Sequence, residues 1–66
     1  MEKVNQAISS AVEAIQRGDF GRGRATLTWV LNAQPNNRLA WLWMACCVNE
    51  ETERDECYRR VSRIPS

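Results

Sequence analysis

Residues 39–48 read Leu39-Ala40-Trp41-Leu42-Trp43-Met44-Ala45-Cys46-Cys47-Val48, ten apolar residues in succession within a chain of 66 that is 44% hydrophobic. A surface helix buries one face and keeps the other polar, so a helix that is apolar all round has to be covered on more than one side. Ten residues fall well short of the roughly 20 needed to span a bilayer. The run therefore predicts a central helix in a small protein, packed by the remaining segments or by a second copy of the chain. Asn36 and Asn37 precede it as candidate N-caps, and Pro35 stops the preceding helix from running on into it.

Working outward toward the N-terminus, Phe20 to Ala33 reads as a helix with Phe20, Leu27, Val30 and Leu31 facing inward and Asp19 as its cap. Gly21 and Gly23 fall in its first turn, where each costs about 1 kcal/mol relative to alanine, and so they predict close approach of a neighbouring backbone. Gly18 suits the left-handed residue that ends the helix before it. That first helix spans about Glu2 to Arg17, with Val4, Ile8, Ala11, Val12 and Ile15 at spacings of three and four.

Toward the C-terminus, Glu50 and Glu51 form an acidic joint, and Thr52 followed by Asp55 has the form of a capping box with aspartate for glutamate. A fourth helix then spans about Glu53 to Arg63. Cys57, Tyr58, Val61 and Ile64 form its apolar stripe, and Glu53, Glu56, Arg59 and Arg60 are expected to face water. No sustained alternation of period two occurs, so strands are not expected. The fold class is all-α: four helices in two consecutive antiparallel helix-turn-helix hairpins, forming one domain over residues 1–66.

A domain of this length buries only about 60% of its unfolded surface and is marginally stable unless a disulfide, a metal or self-association assists. The first two are not expected. Cys46 and Cys47 are adjacent, Cys57 stands alone, and there is neither a CxxC pair nor a histidine, so three reduced thiols are predicted. Residues 1–6 lack both a basic cluster and an apolar run, which argues against secretion and for a cytoplasmic protein. With no histidine, no phosphate-binding glycine loop, no HExxH and no serine beside a base, neither enzyme activity nor a cofactor is expected. A formal net charge of +1 supplies no field of the kind that dominates nucleic-acid binding, although eight of the nine basic residues are arginine.

Gly18-Asp19-Phe20, then Leu27, Val30 and Leu31, then Pro35 forms one half of a helix-turn-helix repeat, and the next opens with Ala40-Trp41-Leu42-Trp43-Met44-Ala45. In the tetratricopeptide pattern, W-x2-L-G-x2-Y followed by A-x3-F, the first helix finds counterparts at Trp41, Met44, Ala45 and Val48. The chain resembles a bacterial-type tetratricopeptide repeat protein over nearly its whole length, with repeat one at about 2–35 and repeat two at about 36–66. It departs from the family in having Gly23 where alanine is usual, a short inner loop in the second repeat, and no capping helix after it. The resemblance implies a right-handed superhelical fragment that uses an inner helical surface to bind a partner.

The function expected on these grounds is that of a protein-interaction or self-association module. Ile8, Val12, Leu39, Leu42, Trp43 and Cys46 supply the partner-binding surface, and Trp29, set off the inward stripe of its helix, serves as an outer contact. Trp41 is expected to pack between the hairpins. Because two repeats leave apolar faces open, a homodimer or larger assembly is expected, with a protein as partner and neither nucleic acid nor membrane. Two other readings remain: nucleic-acid binding through Arg17, Arg22, Arg24 and Arg38, with tryptophan for base stacking, and a structural piece of a longer repeat array.

Overall fold

A computed structural model describes residues 2–65, so Met1 and Ser66, which the sequence reading includes in the domain, lie outside the described residues. Four helices follow one another: α1 (Glu2–Gln16), α2 (Phe20–Ala33), α3 (Arg38–Cys47) and α4 (Glu51–Arg63). No strand occurs among the described residues. Each helix packs on the next in sequence, and α3 also touches α1.

The first turn is made by backbone chemistry at a glycine. Gly18 adopts φ +84, a conformation that a side chain would strain. There the Gly18 N–H donates to the Ile15 carbonyl at 3.0 Å and the Asp19 N–H to the Ala14 carbonyl at 2.8 Å. This pair of bonds is a Schellman motif and satisfies the last carbonyls of α1. Asp19 at once caps α2, its carboxylate accepting from the Arg22 N–H at 3.3 Å. The second joint is a side-chain device: Asn37 Oδ1 accepts from the Ala40 N–H at 3.0 Å, while Asn37 Nδ2 donates to Gln34 Oε1 at 3.0 Å. α3 accordingly begins at Arg38, and its register is set from there.

The core consists of Val4, Ile8 and Ala11 of α1, Leu27 and Val30 of α2, Ala40, Met44, Ala45 and Cys47 of α3 with Val48 just beyond it, and Cys57 of α4. Ala14, absent from the predicted stripe of α1, is also fully buried. Gly23 sits where three helices meet. A methyl group there would lie 2.8 Å from Ile15 Cγ1 and 3.3 Å from Cys47 Sγ. The close approach foreseen for the two glycines is thus made at Gly23 by side chains rather than a backbone, and Gly21 faces open space.

Other expectations are corrected for related reasons. Phe20 is 46% exposed and Tyr58 50% exposed. Phe20 lies on the same face of α2 as Leu27 but is the helix's first residue, one turn outside the covered zone. Tyr58 follows Cys57 by one position, about 100° around the helix, and clears the contact with α3. The capping box at Thr52 does not form. α4 starts earlier, with Glu50 in the cap position and no side-chain bond there, because Glu51 and Glu53 already favour the positive end of the helix dipole. Glu53 is partly buried rather than fully solvated, and it pairs with Arg24 of α2 at 3.6 Å.

The molecule is a slab, 28 × 27 × 16 Å between outermost Cα positions. Helices pack about 8–10 Å apart, so 16 Å accommodates two layers and not three. A central helix that is apolar all round cannot be enclosed on both sides of such a slab.

Candidate functional site

The consequence falls on α3. Its buried residues Ala40, Met44, Ala45 and Cys47 occupy one side. Leu39, Leu42, Trp43 and Cys46, at spacings of three, one and three, occupy the opposite side at 100° per residue. Leu39 is 50% and Leu42 41% exposed, Cys46 is exposed, and Trp43 is half-buried with part of its ring against the core. The four line one shallow depression of about 320 Å³ with no charged group among them. Four of the seven residues that the sequence assigned to partner binding are therefore brought together.

The remaining three go elsewhere. Ile8 is 7% exposed and part of the core, so it offers an incoming surface almost nothing. Val12 is half-buried against that core. Trp29 is exposed, as its position on the helix suggests, but it lies with Lys3, Gln6, Ala7, Ser10 and Thr26 in a separate groove between α1 and α2. It does not border the α3 depression.

Trp41 closes the opposite flank of α3. Its Nε1 donates to the Pro35 carbonyl at 2.8 Å, and the Arg60 guanidinium stands 5.4 Å from its ring centroid. Arg60 in turn holds Glu56 at 3.3 Å. The arginines proposed for nucleic-acid contact are dispersed. Arg17 and Arg22 flank a polar depression with Glu13, Arg24 is paired with Glu53, and Arg38 opens α3. The sequence reading missed the shallow cleft where Arg24 and Thr28 of α2 face Glu53 and Cys57 of α4. The i, i+4 spacing of Arg24 and Thr28 marks a shared face, but only packing shows what that face meets.

All three cysteines are free thiols; Cys46 is exposed, and Cys47 and Cys57 are buried. Burial pushes the Cys47 thiol above its ordinary 9.0, with Cys46 adding to the effect and Arg24 opposing it. Cys57 is likewise raised, first by burial and then by Glu53 and Glu56. A disulfide-exchange reagent should thus modify Cys46 alone in dilute native protein and all three thiols in denaturant; rapid native reaction of all three would mean that the core is open. Folding also withholds two protons that the unfolded chain would release. Stability should hold below about pH 9 and decline as pH rises through the raised folded values, since the unfolded state then binds fewer protons. A urea midpoint that is flat between pH 8 and pH 10.5 would contradict this.

No helix among the described residues is long and apolar enough to cross a membrane. Among family models, curated proteins and solved structures, none matches this chain.

Proposed function

We propose that this chain is a protein-interaction module, two tetratricopeptide-like hairpins that offer the outer face of α3 to another helical surface. The observation that carries this reading is the convergence of Leu39, Leu42, Trp43 and Cys46 into one uncharged depression on a helix face that no other helix among the described residues covers. Support for the repeat arrangement comes from α3, which packs on both helices of the first hairpin as well as on its own partner α4. In stacked helical repeats each unit likewise covers its neighbour and leaves the last face open.

Binding proceeds by removing that face from water. Full burial of a leucine is worth about 1.5–3 kcal/mol, and Leu39 and Leu42 each retain roughly half their surface to contribute. The half-buried Trp43 is the anchor: it is already held by the core, so fixing it in a complex costs little entropy. Association driven in this way changes little with salt, whereas nucleic-acid binding falls steeply with ionic strength. The dispersal of the arginines weighs against the nucleic-acid reading.

A photoreactive benzophenone side chain at position 42 tests the proposal in the cell that makes the protein. A protein adduct is expected, and it should vanish with Leu39→Glu, a change at a half-exposed position that leaves helix content intact by circular dichroism. Absence of any adduct, or an adduct only to nucleic acid, would defeat the reading.

A further inference from the structure

Resting on that reading, we infer that the occupant of the α3 face is a second copy of this chain, with the two α3 helices antiparallel across a two-fold axis between Leu42 and Trp43. Three observations lead there. The spacing of Leu39, Leu42, Trp43 and Cys46 is the same read in either direction, so an antiparallel copy sets Leu39 opposite Cys46 and Leu42 opposite Trp43, large against small at the ends and ring against branched chain at the centre. A closed two-fold contact requires this kind of self-complementarity.

Charge gives the same orientation. Arg38 is the first residue of α3, at the positive end of the helix dipole, where a cation is unfavourable. It is exposed and enters no ion pair among the described residues. At the other end of α3, two and three residues past its C-cap Val48, stand the exposed Glu50 and Glu51, which cap and open α4. Antiparallel packing carries each Arg38 to the negative end of the opposite α3, beside Glu50 and Glu51 of the second copy. The unfavourably placed Arg38 is thereby matched, twice per dimer. A parallel pair would set Arg38 against Arg38 and align the two dipoles unfavourably.

The slab geometry allows the approach. Among the described residues no element covers this side of α3, and a second two-layer slab laid on it places α3 in the middle of the assembly, enclosed as an all-apolar helix requires.

The native Cys46 makes the arrangement directly testable in the full chain. In Leu39→Cys, mild oxidation with copper phenanthroline and oxygen should give a covalent dimer joined between position 39 of one copy and Cys46 of the other, since facing helices bring Cα atoms near the 4.4–6.8 Å a disulfide accepts. Wild type should sediment as a dimer at about 100 µM. Arg38→Glu should weaken the dimer about tenfold, and Arg38→Glu combined with Glu50→Arg and Glu51→Arg should restore it. Glutamate at a helix N-terminus favours the helix, so loss of the dimer in Arg38→Glu is not unfolding. A monomer at hundreds of micromolar, cross-linking only between identical positions, or indifference to Arg38→Glu would each overturn the inference. If the chain is monomeric while the position-42 adduct forms with a different protein, the second copy is excluded and the interaction module stands. If no adduct forms at all, both fall.

Discussion

Leu27→Ala is expected to cost the protein a large share of its stability. Leu27 and Val30 are the largest fully buried side chains among the described residues, each with no exposed surface. Leu27 stands midway along α2 within the cluster shared by all four helices. Truncating a buried leucine costs about 2–5 kcal/mol, the removed methyl groups and the cavity both contributing. At about 0.05–0.15 kcal/mol per residue the whole chain has about 3–10 kcal/mol to lose. Urea unfolding followed by circular dichroism measures the change. Trp29→Ala is the control: half of that residue is already in water, and the unfolding free energy should fall by no more than about 0.5 kcal/mol. If the tryptophan change were the more damaging, the groove between α1 and α2 would have to be part of the core.

Trp41→Ala should be the second most damaging substitution, at about 2–4 kcal/mol. The lower bound reflects partial exposure, since complete truncation of a buried aromatic costs about 3–5 kcal/mol. The ring joins three pieces of chain. It lies against the core, its N–H holds the Pro35 carbonyl, and its face carries Arg60 of α4. α4 contributes only Cys57 as a buried residue, so the loss of this lateral tie should release α4 first. Trp41→Phe separates the parts: it keeps a ring for packing and for the guanidinium and removes the hydrogen bond, for which about 1 kcal/mol is expected. Hydrogen exchange should then show amides of α4 opening before those of α2 in Trp41→Ala. Uniform opening of all four helices would mean that the tie is not local to α4.

The candidate surface was partly legible beforehand. An apolar run too short for a membrane and too apolar for an ordinary surface helix identifies α3 as the element with a face to spare, and the four residues that line its depression were all among those expected. Ile8 was misassigned because periodicity reports that a residue lies on an apolar face and not whether that face is occupied. α1 spends its stripe on the core of its own hairpin. Phe20 and Tyr58 show the same limitation from the other direction: their positions look inward, but about half of each stays exposed.

What the sequence determined by itself is the local architecture: the four helices and the first two joints. Gly18 with Asp19, and Asn37 with Pro35, act through hydrogen bonds and steric limits among residues a few positions apart, and these operate wherever the segment is placed. Only the tertiary structure decided that Gly23 makes room for Ile15 and Cys47, that Arg24 faces Glu53, that the arginines disperse, and that one side of α3 stays open while Trp29 stands apart from it. Each of these depends on which helix arrives at a given face, and among the described residues two-layer packing leaves one face of the central helix uncovered.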